Sequence, residues 1–101
     1  MHKSLYSRPN EVFIALLRDI RLEQRLRQAD LAGRLGRSQA IVSRVESGER
    51  RLDIVELVAW LGALDTDLVS FAKKLHLRLG GDTGSLGRRS AVRVRTRSRS
   101  G

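Results

Sequence analysis

The stretch QADLAGRLGRSQAIVSRVESG, residues 28–48, decides the fold. Leu31, Ala32 and Leu35 fall on one side of a helix, at i, i+1 and i+4, and the pattern stops at Gly36, where a residue without Cβ can take the left-handed conformation. Ser38 follows, with a hydroxyl suited to capping a second helix. Advancing by about 100° per residue from Gln39 to Ser47 gathers Ile41, Val42 and Val45 into one arc. Gln39, Ala40, Ser43, Arg44 and Ser47 occupy the opposite arc. One arc packs and the other faces water, so the spacing predicts two short helices joined by a tight polar turn.

Working outward toward the N-terminus, Phe13, Leu16, Leu17 and Ile20 recur at i, i+3, i+4 and i+7, predicting a helix from a cap at Asn10 to about Arg25. Residues 1–9 lack periodicity, hold the single proline and are expected to form a flexible arm, with Arg8 near phosphate. Arg21 lies beside the apolar stripe, so its stem is expected to be partly buried and its guanidinium to need an acceptor. Glu46 is the candidate.

Toward the C-terminus, Asp53 and Glu56 have the spacing of a capping box and open a helix that runs to Leu64. Ile54, Leu57, Trp60, Leu61 and Leu64 give it one broad apolar side, and Val55, Ala59 and Ala63 a second. Either this is the central helix of a small bundle, or the second face meets another subunit. Gly62 inside it costs about 1 kcal/mol relative to alanine, which close approach of a neighbour would explain. Leu68, Phe71, Ala72, Leu75 and Leu79 predict a last helix from about Asp67 to Leu79, ended by Gly80 and Gly81. Beyond it the composition turns to Gly, Ser, Thr and Arg, so residues 80–101 are expected to be a disordered basic tail after a folded domain of residues 10–79.

The chain carries 20 Lys and Arg against 11 Asp and Glu, a net charge of +9 that favours a polyanionic partner. The charge is uneven: residues 83–101 hold six Arg and no acid, leaving 14 bases against 11 acids before them. The absence of cysteine removes any thiolate site, and only His2 and His76 offer imidazole, so neither a metal nor a cofactor is expected; His76 reads as surface. The longest apolar run, Val12 to Leu17, is far below the roughly 20 residues of a membrane span, and no cleavable signal precedes it. A soluble, cytoplasmic protein is expected, associated with the nucleoid if its partner is DNA. No set of nucleophile, base and orienting group suggests an enzyme, and four aromatics mostly assigned to the core leave no stacking platform for single-stranded RNA. The Gln, Ser and Arg arc of residues 39–47 is instead suited to the DNA major groove, where Gln pairs with adenine N6/N7 and Arg with guanine O6/N7.

The run LRDIRLEQRLRQADLAGRLGRSQAIVSRVESGERRLDIVELVAWLGAL resembles the DNA-binding domain of Cro/CI and Xre type repressors. The likeness rests on Arg21, Gln28, the Leu31, Ala32, Leu35 and Gly36 core, the SQ..VSR.E..G helix and the closing ERRLDIVEL. It implies an all-α, five-helix bundle of the lambda-repressor-like type that binds double-stranded DNA as a homodimer at a palindromic operator. By the same resemblance Gln39, Ala40, Ser43 and Arg44 read bases, and Gln28 braces the start of the second helix against phosphate and can touch Gln39; Ser38, Arg50 and Arg51, together with Arg27, Arg37 and Ser47, are further candidates for phosphate contact. Singly, Gln28 and Gln39 would read as solvated surface glutamines; within this constellation the functional reading prevails. Arg21 and Glu46 correspond to the family's buried ion pair, and Val55, Ala59 and Phe71 are candidates for the dimer interface. Arg25 stands where the family usually has glycine, and Arg27 where it has Ser or Thr. Function is then expected to be transcriptional repression. The alternatives are an antitoxin that autoregulates its operon and binds a toxin or other protein partner, or a restriction-modification controller.

Overall fold

Five α-helices, and among the described residues no strand, follow one another in the computed structural model, which describes residues 7–81. They are α1 (Arg8–Glu23), α2 (Gln28–Leu35), α3 (Gln39–Glu46), α4 (Ile54–Ala63) and α5 (Leu68–Arg78). Each begins where a local acceptor meets the first unpaired N–H groups. The Ser7 hydroxyl accepts from Asn10 N at 3.3 Å, Ser38 from Ile41 N at 3.3 Å and Asp67 from Ser70 N at 2.8 Å. Asp53 and Glu56 form the full reciprocal box, at 2.7 Å from Glu56 N and 3.0 Å from Asp53 N. Arg27 has no side-chain acceptor to offer α2, so only half a box forms there: Asp30 accepts from the Arg27 backbone N–H at 2.8 Å.

The start of α1 corrects the expectation that Asn10 caps it and that residues 7–9 belong to a flexible arm. Ser7 is the cap, and Pro9 lies in the first turn, where its missing N–H is no loss and its fixed φ suits the helix. Residues 1–6 of the expected arm, and residues 82–101 of the expected tail, lie outside the described residues.

Helix ends are closed by left-handed residues. Gly36 at φ 68° ends α2, with Arg37 N donating to Ala32 O at 3.0 Å. The end of α1 has the same wrapping bonds without a glycine: Arg25 stands at φ 60°, its N–H donates to Leu22 O at 2.9 Å, and Leu26 N donates to Arg21 O at 3.2 Å. Asp65, at φ 58°, closes α4 in the same way.

The core gathers Leu16, Leu17 and Ile20 of α1, Leu31 and Ala32 of α2, Val42 and Val45 of α3, Leu57, Trp60 and Leu61 of α4, and Phe71 of α5. Two assignments change here. Ile54, expected inside, is 59% exposed, because α4 is apolar nearly all round and its buried side is centred on Leu57 and Leu61 instead. Phe71, expected at a dimer interface, is 1% exposed and meets Phe13 edge to face, ring centroids 5.7 Å apart, so it is a core residue and unavailable to a partner. On α5 the expected apolar stripe is only partly covered: Ala72 and Leu79 are exposed. No described helix is long and apolar enough to cross a membrane.

A left-handed conformation costs a residue with a Cβ roughly 1–2 kcal/mol, part of which glycine would return as chain entropy in the unfolded state. Arg25→Gly is therefore expected to raise unfolding free energy by about 0.5–1 kcal/mol in urea denaturation. A loss of stability would show that the Arg25 side chain contributes more than its backbone costs.

Candidate nucleic-acid interface

A buried carboxylate needs paired donors, and Glu46 obtains them from α1 and α2 together. Arg21 Nε donates to Glu46 Oε2 at 2.7 Å and Arg21 Nη2 to Oε1 at 2.8 Å, with the two side chains 8% and 4% exposed. The third guanidinium nitrogen, Nη1, donates to Leu26 O at 2.7 Å, so Arg21 grips the turn between α1 and α2 with both its backbone and its side chain. Gln28, the first residue of α2, donates from Nε2 to Glu46 Oε1 at 3.0 Å. Gln39, the first residue of α3, donates from Nε2 to Gln28 Oε1 at 3.5 Å. One chain of polar contacts thus runs from the interior to the surface at the N-terminal end of α3.

Around that end, Val42 and Val45 of α3 are buried while Gln39, Ala40, Ser43, Arg44 and Ser47 are exposed. Besides Ala40 these are three polar side chains and, in Arg44, one guanidinium, all exposed, a chemistry that fits base edges in a major groove. The Ser38 hydroxyl accepts its cap bond and keeps its own proton to donate outward.

A family model described as helix-turn-helix matches residues 17–71, from within α1 into α5. The chain belongs to the Xre/Cro-CI-type helix-turn-helix family. It is accordingly a DNA-binding transcription regulator of the Xre type. None of the curated proteins matches the chain.

Within this helix-turn-helix, the cations are not equally placed. Arg37 is exposed beside Ser38, and Arg44 and Arg51 are exposed on α3 and the loop after it. Arg50 is half-buried and tied to Glu56 at 2.8 Å, with Nη1 on Arg51 O at 3.4 Å, so its first role is to hold the loop against the start of α4. That bond and the Asp53 N–H lower the Glu56 carboxyl below its usual range. Arg27 is exposed yet paired with Asp30, at 3.1 Å through Nε and 3.0 Å through Nη2. This pairing, with the Arg27 backbone N–H next, holds the Asp30 carboxyl at about 2. The Ser47 hydroxyl donates to Arg44 O at 3.1 Å and must rotate before it can donate to phosphate. Among the described residues no His, Cys, Asp and Glu cluster could hold a metal.

The sequence pointed to Arg21 with Glu46 but not to the Gln28 bond on the same carboxylate. The available signal was stoichiometric: a carboxylate has about four lone-pair sites, and one guanidinium fork fills two. Two further ties were also missed. Gln24 Nε2 donates to Leu64 O, and Arg34 Nη1 to Ala63 O at 2.9 Å, fastening the end of α4 to α1 and α2.

Removing one partner of a buried ion pair strands the other. Glu46→Ala should therefore cost about 3–5 kcal/mol of unfolding free energy, whereas Arg21→Met with Glu46→Leu should recover most of that loss. Chemical denaturation of the three proteins checks this, and a Glu46→Ala variant within about 1 kcal/mol of the parent would contradict the buried placement.

Proposed function

We propose that this regulator is a repressor that binds a palindromic operator as a homodimer and represses by occupying sites that polymerase needs. Gln39, Ala40, Ser43 and Arg44 read base edges, and Gln28, Arg27, Arg37, Ser38, Ser47, Arg50 and Arg51 position the domain on phosphate. The observation that carries this reading is the division of α3 into a buried valine side and an exposed Gln, Ser and Arg side next to two helix N-termini. Those N-termini present unpaired N–H groups and a positive dipole end toward phosphate. The six Arg of residues 83–101 add affinity for any duplex without adding sequence preference, since phosphate neutralisation carries no base information. A regulator of this kind acts in the cytoplasm, on the nucleoid.

Selection from a random duplex pool should return an inverted repeat. On that site Gln39→Ala and Arg44→Ala are each expected to lose about 1–3 kcal/mol of binding, with a much smaller loss on unrelated duplex for Gln39→Ala. A Gln39→Ala protein that holds the selected site as tightly as its parent sinks the base-reading assignment.

The homodimer draws support from α4, where Ile54, Val55 and Val58 are exposed, Val55 to 74%, and from Val69 of α5, exposed to 66%. Ala59 and Gly62 lie on the same side of α4, and a Cβ added at Gly62 would meet nothing within 4 Å in the monomer. The chain's own packing therefore does not require that glycine, and close approach by a second copy would. Recognition helices brought together in this way should sit about 34–36 Å apart, in successive major grooves. Val55→Lys and Gly62→Ala should both shift sedimentation toward monomer, and Gly62→Ala should at the same time stabilise the monomer fold by about 1 kcal/mol. A parent protein that is monomeric and occupies DNA one copy per site, with no inverted repeat, would overturn the dimer.

A further inference from the structure

We propose that Glu46, which no base can reach, fixes the direction in which Gln39 presents its amide, and so lets the domain tell an A·T pair from the same pair inverted. The inference rests on Gln39 reading bases and adds what sets the polarity of that reading.

Both Glu46 oxygens already accept from Arg21, Oε2 at 2.7 Å and Oε1 at 2.8 Å, and a carboxylate so paired has nothing to donate. Gln28 meets Oε1 at 3.0 Å and must therefore turn its NH2 toward Glu46; the flipped amide would set carbonyl oxygen against carboxylate oxygen. That choice leaves Gln28 Oε1 facing Gln39. An oxygen there can only accept, so Gln39 must in turn offer its NH2, as it does at 3.5 Å. A neutral amide pair on its own would have two equivalent arrangements; the charge at one end leaves one.

The consequence lies on the exposed side. With one Gln39 N–H held by Gln28, the remaining N–H and Oε1 form an outward edge of one donor and one acceptor in fixed order. Adenine presents the complement, N7 as acceptor and N6–H as donor, and inverting the base pair puts the thymine C5-methyl and O4 in their place. A Gln39 amide free to flip would turn its NH2 to that O4, whereas the held amide sets Oε1 against it. Glu46 and Gln28 are thus positioning residues for Gln39 rather than contacts to base.

Gln28→Met removes the middle amide and leaves the Arg21–Glu46 pair in place, and Glu46→Gln keeps an acceptor for Arg21 but abolishes the fixed polarity. The probe is the duplex selected from a random pool by the parent protein, together with copies of it carrying single base-pair inversions. The pair read by Gln39 is identified as the one whose inversion matters to the parent and no longer matters to Gln39→Ala. At that pair Gln28→Met is expected to lose about two- to tenfold of the parent's preference for the selected orientation, the span of one hydrogen bond's net contribution. Preferences at pairs read by Arg44 should be kept. Glu46→Gln should show the same loss, measured at a temperature where it is folded, and the double variant should lose no more than either single one. A merely structural role would weaken all sites alike and leave these ratios unmoved. If Gln28→Met keeps the parent's orientation preference at the Gln39 pair, the relay is overturned while base reading stands. If Gln39→Ala alters the preference at no pair, base reading itself fails and the relay with it.

Discussion

The ion pair between Arg21 and Glu46 is the constraint on which the rest of the arrangement depends. It joins the end of the first helix to the end of the third across 25 residues of chain, and the same guanidinium holds the Leu26 carbonyl in the turn between them. Burying two charges has a desolvation cost that their attraction offsets only when every donor and acceptor is used. Here Arg21 Nε, Nη1 and Nη2 each have an acceptor, and Glu46 takes a third bond from Gln28. Replacing such a pair by apolar residues often leaves stability unchanged or better, so stability alone does not account for it. Its geometric contribution is to tie the end of α3 to α1, to the turn after α1 and, through Gln28, to the start of α2.

That tie matters because α3 is short. Eight residues give little over two turns, and Val42 and Val45, with the half-buried Ile41, anchor it to the core from its own apolar side. Arg25, at φ 60° where a glycine would be relaxed, fits the same picture: the turn between α1 and α2 is held closed by the bonds of Arg21 and Leu26 strongly enough to carry a left-handed arginine. The molecule separates its surfaces accordingly. The polar residues of α3 and the arginines Arg37, Arg44 and Arg51 are exposed, and among the described residues the uncovered large apolar residues, apart from Leu22 of α1, lie on α4 and α5 or at the end of α5.

Much of this was legible in the chain because it is written locally. Ser38, Asp53 and Asp67 announce helix starts by their own hydrogen-bonding chemistry, Gly36 announces a stop, and the two arcs of α3 follow from a 3.6-residue period. The misplacements have equally physical causes. Asn10 and Ser7 can both cap, and a proline two residues after Ser7 reads as a breaker unless its tolerance at a helix start is weighed. A helix as uniformly apolar as α4 has no periodic signal to say that Leu57 turns inward and Ile54 does not. Phe71 resembles an interface residue until Phe13 is brought beside it from 58 positions away. The bond from Gln28 to Glu46 is a contact between side chains 18 residues apart, and only the unfilled acceptor capacity of a carboxylate hinted at it.

The central claim is that the exposed side of α3, steadied from beneath by Glu46, is the surface that meets DNA bases. Its most direct test is a nuclear magnetic resonance titration of the uniformly 15N-labelled protein with a duplex selected from a random pool. The account predicts the largest shifts at the backbone amides of Gln39, Ala40, Ser43 and Arg44 and at the side-chain NH2 of Gln28 and Gln39, all saturating together at the stoichiometry of the complex. Saturation of the duplex with those resonances unmoved would contradict it.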